Sequence, residues 1–360
     1  MIDEDKVVEI SRKLRVIMVG ADRSVHGGVS AVVNNYYEAG LDKKIELRYI
    51  GTMVDGSKIR KLAKAIQSYV KFLFQVAGCD IVHINMASDS SYYRKLYFIR
   101  MAKLFHKKVL IHQHGGDFQN FYYRDNSEKG QERIRINLNR ADKMIVLSAS
   151  WKEFFEKLIP ADRIEVLQNA VKIPENCEKD YNNQDILFLG RLCKDKGIDE
   201  LIDAVCELHQ EFPKVHLYLG GVWEDEELRQ KAEQYAEFIT FLGWIGSREK
   251  NRMLRKCSIF TLPSYFEGMP VSVLEGMAYG CTVVVTPVGG LQTIIKNEEN
   301  GILVDRKSKD SLKDGLVKVL NHTDKKQKLG RNARKTIREN YEIDRNIEKL
   351  LQIYQQLVEV

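Results

Sequence analysis

The chain of 360 residues is poor in proline, with 6, and its 6 cysteines form no C-x-x-C pair and no zinc-ligand spacing. Those absences argue against a proline-rich linker protein, a zinc module and a disulfide framework. Cys79, Cys177, Cys193, Cys206, Cys257 and Cys281 sit partly in apolar runs, where a free thiol behaves as a small hydrophobe. A reducing compartment is the expectation. Nowhere does an apolar run approach the roughly 18 residues that a membrane-spanning helix needs. The opening MIDEDKVVEISRK also lacks the apolar core of a secretory signal. These features predict a cytoplasmic protein that at most rests on the inner face of the cell membrane. Although 24 glycines are present, no low-complexity tract occurs.

What is present is ordinary globular material, 44% hydrophobic and 29% charged. At about 150 residues per domain the length predicts two domains. The net charge of +6 is uneven: residues 1–175 carry 29 basic and 21 acidic side chains, and the remainder is slightly acidic. Between Lys58 and Lys108 there are 11 basic residues against Asp80 and Asp89. Such a field favours an anionic partner, whether phosphate-rich substrate, acidic lipid or nucleic acid, although a solvated basic face gives the same count. Nucleic acid is disfavoured, because no stacking platform or recognition motif accompanies the charge.

Short β-rich runs alternate with helix-period segments. The first half offers strands at Leu14–Gly20, Ile45–Ile50, Asp80–Asn85, Lys108–Gln113, Lys143–Ser148 and Arg163–Gln168. Helices fit near Val29–Ala39, Ile59–Val76, Tyr92–Phe105, Gln131–Asn139 and Trp151–Leu158. A polar stretch, Pro174–Asn183, reads as a linker. The alternation then restarts with strands at Asp185–Gly190, Val215–Gly220, Ile239–Gly243, Cys257–Pro263 and Thr282–Thr286. Intervening helices fit Ile198–Glu211, Glu224–Glu237, Arg248–Arg255 and Val271–Tyr279. Three amphipathic helices near Lys309–Leu320, Lys325–Glu339 and Asp344–Val358 close the chain. Apolar runs of about six residues joined by helices predict parallel sheets covered on both faces. The expected architecture is therefore two doubly wound α/β domains in tandem, over 1–174 and 184–342, with ligands in the cleft outside the strands' carboxyl ends.

Four segments carry chemistry. Gly27 and Gly28 precede an apolar helix, and glycines at a helix start let an anion approach free amides. The segment lacks the G-x-G-x-x-G spacing of a dinucleotide site, and a tight turn without ligand fits as well. His112 and His114 alternate at a strand end before Gly115 and Gly116. A metal pair has no evident third ligand, so a His facing the cleft, or a satisfied structural His, fits better. Arg191 follows a strand and Lys196 precedes a helix, a cation pair suited to a diphosphate. Glu267 stands in the loop after Cys257–Pro263, and Glu275 follows eight residues later in the next helix. Carboxylates accept paired hydrogen bonds from adjacent hydroxyls, as on a sugar or ribose. Gly268, Met269, Pro270 and Val271 lie at that helix's start, with Pro270 lacking an amide.

Taken together, HGG at His26–Gly28, HQHGGDF, GRLCKDKG and EGMPVSVLEGMAYG, with TPVGG and NGILV behind it, resemble the retaining glycosyltransferases of the family-four group. The resemblance spans nearly the whole chain and is strongest from Gly190 to Val304. It implies the GT-B fold, two Rossmann-like domains with an interdomain cleft, and a final helix (343–360) crossing back to the first domain. It also implies that Arg191 and Lys196 hold the donor diphosphate, Glu275 the ribose and Glu267 the donor sugar, helped by the backbone from Gly268 to Val271. Gly27 and Gly28 would lie near the phosphates and His114 near the transferring sugar, with the base against Trp244 and Ile245. No metal or other cofactor is implied, in keeping with the lack of a D-x-D motif apart from the terminal Asp3–Asp5. The donor is expected to be a nucleotide-diphosphate sugar, UDP-linked by preference, and the acceptor a glycan or polyprenyl-linked saccharide of a bacterial surface polysaccharide.

In the resemblance the basic first domain meets the acceptor, and Tyr92–Lys108 mixes aromatics with cations as interfacial helices do. Peripheral contact with an anionic membrane follows, against a core helix with basic edges. The helix reads LEGMA where the family has LEAMA, and GCTVV replaces its GxPVV. Gly276 should cost about 1 kcal/mol against alanine in a helix interior. A catalytically silent nucleotide-sugar or glycan-binding protein, or a GT-B epimerase, are the alternative readings.

Overall fold

The computed structural model describes residues 12–175 and 177–359. The acidic Asp3–Asp5 lies outside the described residues. Twelve strands form two sheets, all of whose pairings are parallel. The first contains β1 (Arg15–Gly20), β2 (Glu46–Gly51), β3 (Ile81–Met86), β4 (Lys108–Gln113), β5 (Lys143–Val146) and β6 (Ile164–Val166), in the order β2-β1-β3-β4-β5-β6. The second contains β7 (Asp185–Leu189), β8 (His216–Gly220), β9 (Ile239–Gly243), β10 (Ile259–Leu262), β11 (Thr282–Val285) and β12 (Ile302–Leu303), in the order β12-β11-β10-β7-β8-β9. Both sheets are doubly wound, with the strand order reversing beside β1 in the first and beside β7 in the second.

Alternation along the strands shows how the first sheet is covered. Ile17, Val19, Val82, Ile84, Val109 and Ile111 face one core, while Val16, Met18, Ile81 and Leu110 face another. The crossovers from β2 onward all step the same way across the sheet, so right-handed connection puts their helices on one face. There Phe72, Phe98, Phe118, Ile134 and Phe155 close the core. The other face receives the helix Gly28–Glu38 and is completed by the last helix, Ile343–Glu359, whose Ile347, Leu350 and Tyr354 are fully buried. Asn346 accepts a hydrogen bond from the Tyr36 hydroxyl at 3.1 Å and donates to the Gln168 carbonyl at 2.6 Å. Tyr354 and His83 are hydrogen-bonded at 2.6 Å. One core cluster consequently runs from the first sheet through this helix into the second domain.

Pro174, Cys177, Lys179 and Tyr181, within the expected linker, are tied to the second domain. Tyr181 donates to the Gly280 carbonyl, Lys179 donates to the Cys257 carbonyl, and Arg334 donates to the Pro174 and Cys177 carbonyls. β12 and the one-turn helices Leu41–Lys44 and Leu291–Ile294, with Phe118–Tyr123, have no counterpart in the sequence expectations. They are too short to show a period. Gly276 has a packing reason, because a Cβ there would lie 2.8 Å from the ring of Phe260, itself fully buried. The segment Tyr92–Lys108 overlaps a helix (Asp89–Leu104) that buries Tyr92, Lys95, Phe98, Ile99 and Ala102 in the core, while Tyr93, Leu104 and Phe105 are exposed. No described helix is long and apolar enough to cross a membrane.

The Asn346 bonds tie the last helix to both the first helix and the end of the first domain. Replacing Asn346 by Ala leaves the buried Tyr36 hydroxyl unpaired and is expected to cost about 1–3 kcal/mol in denaturant unfolding. The exposed neighbour Glu348→Ala is expected to change stability by less than about 0.5 kcal/mol.

Candidate active site

The second sheet reverses order between β7 and β10, and the loops leaving those two strands build one wall of a cleft. After β7 come Gly190 and Arg191, then a tight turn at Lys194–Lys196. Gly197 follows in the left-handed conformation (φ 68°), where an added Cβ would lie 2.3 Å from the Pro263 carbonyl oxygen. A side chain is excluded twice over there, by conformation and by space. This close approach brings Lys196 to the β10 loop, where its Nζ meets Glu267 Oε1 at 2.5 Å. Ser264 donates to the same oxygen at 2.8 Å. Both charged side chains are nearly buried, at 14 and 12% exposure. The ammonium keeps two further donors beyond the one given to Glu267.

Arg191 is more open and is held at 2.8 Å by Glu224. Glu275 lies in the helix Val271–Ala278 and pairs with Lys250 at 2.6 Å. Burial pushes its carboxyl above the ordinary value of 4.5, with Lys250 opposing the rise. The opposite wall comes from the first domain. Gly27 and Gly28 begin the helix Gly28–Glu38 and have open space where a Cβ would stand. His26 reaches across to stack on Trp244, with ring centroids 4.2 Å apart, and Ser247 donates to Glu38 at 3.3 Å.

The enclosed volume is about 370 Å³. Of the residues expected from sequence, Gly27, Gly28, Arg191, Lys196, Trp244, Ile245, Glu267, Pro270, Val271 and Glu275 line it. His114, Gly268 and Met269 are not among the lining residues. His114 has its Nε2 at 2.8 Å from Asn85 Oδ1, and burial lowers its pKa to about 3, so the ring is neutral. Its carbonyl oxygen lies 2.4 Å from where a Cβ on Gly268 would be. Met269 is bound on its carbonyl oxygen by the Asn169 side chain at 2.7 Å. These three residues belong to the contact between the domains.

Lys250, Glu38, Ser247, Arg23 and Asn34 line the cleft without having been expected from sequence. Lys250 stands in SREKNRML, which reads as a charged surface helix, and Glu38 ends an apolar one. Lys250 is placed by its pair with Glu275 on a neighbouring helix of the second domain, and Glu38 by docking of the two domains; a single chain pattern carries no signal for either. Among the described residues no three His, Cys, Asp or Glu side chains gather as metal ligands.

Residues 34–173 match the model of Glycosyltransferase Family 4, and residues 171–336 that of Glycosyl transferases group 1. Each half of the chain thus matches a glycosyltransferase domain family. The chain is 27% identical over 287 residues to an uncharacterized glycosyltransferase of Methanocaldococcus jannaschii, covering 77% of this chain and 76% of the relative. Among solved structures, sucrose-phosphate synthase of Thermosynechococcus elongatus superposes with a TM-score of 0.78 at 18% identity, over 96% of this chain and 99% of that one. HepE of Anabaena, in complex with UDP and glucose, gives 0.76 at 16% identity, over 95 and 99%. The two-sheet architecture is thus the GT-B fold, and the cleft lies where its two sheets face each other.

The raised carboxyl of Glu275 has a consequence for stability. A carboxyl whose folded pKa exceeds its unfolded one contributes stability at low pH that is lost as pH rises through the folded value. Glu275→Gln is therefore expected to gain on wild type as pH is raised from about 4.5 to neutrality, read as the difference in melting temperature across that range. A difference flat with pH would contradict the assignment. Gly116→Ala puts a Cβ 2.2 Å from the Glu267 carbonyl carbon and should cost at least about 1–3 kcal/mol. Gly28→Ala meets nothing within 4 Å and serves as its control.

Proposed function

We propose that the protein is a retaining hexosyltransferase. In this reading it moves a sugar from a nucleoside-diphosphate donor, UDP-linked by preference, to a glycan or polyprenyl-linked saccharide during synthesis of a cell-surface polysaccharide. The observation that carries the reading is the convergence of Arg191, Lys196, Glu267 and Glu275 on one cleft wall, facing the Gly27–Gly28 helix start across about 370 Å³. UDP bound in the HepE structure supports the choice of carrier.

As the glycosidic bond breaks, negative charge grows on the leaving diphosphate. Arg191, and the Lys196 donors not given to Glu267, stabilise that charge more in the transition state than in the ground state. The helix start at Gly27–Gly28 adds partial positive charge from the opposite wall. Two fixed cations supply neutralisation that needs no metal, so transfer is metal-independent in this reading. Glu275 accepts from the ribose hydroxyls and Lys250 holds that carboxylate ionised. Glu267, fixed by Lys196 and Ser264, accepts from hydroxyls of the donor sugar and positions it. The acceptor attacks from the face the diphosphate leaves, which retains the anomeric configuration. Closure over Trp244 and His26 excludes water. Cytoplasmic work at the inner membrane face, with peripheral contact through the basic first domain, completes the reading.

Calorimetric titration with UDP, GDP and ADP tests the donor site. One diphosphate should bind wild type, and Arg191→Ala and Glu275→Ala should each weaken it at least about tenfold, equal to 1.4 kcal/mol. Transfer to added saccharide acceptors, insensitive to EDTA and followed by NMR for anomeric configuration, tests the reaction. Binding without transfer or donor hydrolysis would favour the silent protein, and free UDP with an inverted sugar epimer the epimerase.

A further inference from the structure

Helix Lys58–Val76 is amphipathic the wrong way round. It packs on the body through Ser68, Phe72 and Val76, all in its second half. Its larger apolar face points outward: Ile59, Leu62, Ile66 and Phe74 are 81, 62, 55 and 85% exposed, and Val70 and Leu73 are also exposed. Positions 59, 62, 66, 70 and 73 follow the three- and four-residue steps of one helix face. This single stripe holds six of the large apolar side chains exposed among the described residues. A contiguous patch of this kind on a folded protein marks an interaction surface.

Charge selects what covers it. Lys58, Arg60, Lys61, Lys64 and Lys71 lie on the same helix, which contains no acidic residue. Apart from Lys64, these cations are exposed. On a helical wheel Arg60 and Lys71 flank one side of the apolar stripe. A second copy of the chain would set five cations against five with no carboxylate from either helix, which like-charge repulsion opposes. A surface that is acidic at its rim and apolar beneath satisfies both features. That is the interface of a bilayer with anionic headgroups, in which a basic amphipathic helix lies flat.

The helix is also placed at the cleft. Lys64 pairs with Asp22 at 2.7 Å, and the next residue, Arg23, lines the cleft. The Ser57 hydroxyl accepts from the Arg60 amide at 3.3 Å and caps the helix start. We propose that Ile59, Leu62, Ile66, Val70, Leu73 and Phe74 form a membrane-inserting face that seats the cleft mouth against an anionic bilayer. This assignment deepens the reading of a lipid-linked acceptor and rests on it for its purpose, while the surface itself is read without any sugar transfer. The helix Lys58–Val76 exposes more of its apolar side chains than the segment Tyr92–Lys108, where Tyr92, Phe98, Ile99 and Ala102 are buried and Tyr93, Leu104 and Phe105 exposed.

Flotation of the full chain with vesicles of equal parts phosphatidylglycerol and phosphatidylcholine tests the proposal, with phosphatidylcholine vesicles as control. Wild type is expected to float with the anionic vesicles at least tenfold more than with the neutral ones, and less as salt is raised. The double variant Leu62→Glu/Ile66→Glu, and separately Lys58→Glu/Lys61→Glu, should each lose at least tenfold in bound fraction. Because all four side chains are exposed, unchanged melting temperature and unchanged nucleotide titration are expected of both variants. Wild type that ignores anionic vesicles overturns the proposal, as does a Leu62→Glu/Ile66→Glu variant that floats like wild type. A wild-type dimer in light scattering that this variant dissolves overturns it in favour of a second copy. Vesicle binding that persists in a protein found to bind no nucleotide supports the surface and rejects the donor reading alone.

Discussion

Backbone lies on backbone where the two domains meet, and the position of Glu267 depends on it. A Cβ on Gly116 would fall 2.2 Å from the Glu267 carbonyl carbon, one on Gly268 2.4 Å from the His114 oxygen, and one on Gly289 2.1 Å from the Glu267 oxygen. Three loops, one from the first domain and two from the second, are thus pressed together without side chains between them. Gly290 seals the stack by donating its amide to the Gly268 carbonyl at 2.7 Å. Gly116, Gly268 and Gly289 serve mainly this approach; of the three only Gly289 also needs a positive φ, at 54°. With the loop fixed from both sides, the Glu267 side chain meets Lys196 and Ser264.

Around that fixed point the cleft stores charge at some cost. Lys196–Glu267 and Lys250–Glu275 are mostly buried ion pairs, and burying ions cancels much of what their attraction returns. The burial that raises the Glu275 carboxyl also means that its ionised form weakens the fold at neutral pH. Apolar side chains of the same size would serve the fold at least as well. Retaining four ionisable groups on one wall therefore makes sense for binding and chemistry, where perturbed groups collect, and the close packing behind them supplies the compensating stability.

Most strands were legible from sequence to within about two residues, because a strand buried on both faces is a continuous apolar run and its bounds are where that run stops. Lys108–Gln113 and Ile239–Gly243 coincide with the observed strands. The convergence of Arg191, Lys196 and Glu267 was legible too, since each lies in a loop leaving a strand end of a doubly wound sheet, whereas Glu275, inside the next helix, was legible through the motif that carries the resemblance. Lys250 and Glu38 were not, because packing between two helices of the second domain places the first and docking between domains the second. Nor was the difference between the helices at 58–76 and 89–104. Both mix apolar and basic residues, and a period shows that a helix has an apolar face without showing whether the protein or the solvent receives it. The mixed segment Tyr92–Lys108 has its Lys95 ammonium buried against the Thr52 hydroxyl at 3.0 Å, an arrangement no charge count reveals.

A last dependence runs beneath the cleft. Tyr354 on the closing helix bonds His83 at 2.6 Å, His83 meets His112 at 3.3 Å, and the rings of His112 and His114 stand 4.0 Å apart. Burial holds the pKa values of His83 and His114 near 3 and pushes that of His112 well below its ordinary value. The line is therefore neutral at physiological pH, and its hydrogen bonds act through geometry rather than charge. Buried polar chains of this kind are favourable only when their members are properly placed. Tyr354 thus specifies where the last helix sits on the first sheet more sharply than apolar contact alone could. The same helix continues the core into the second domain, so the polar line beneath His114 and the glycine contact above it constrain one angle between the domains from two sides. That shared constraint explains why a residue far along the chain, in the closing helix, matters to a cleft it does not line.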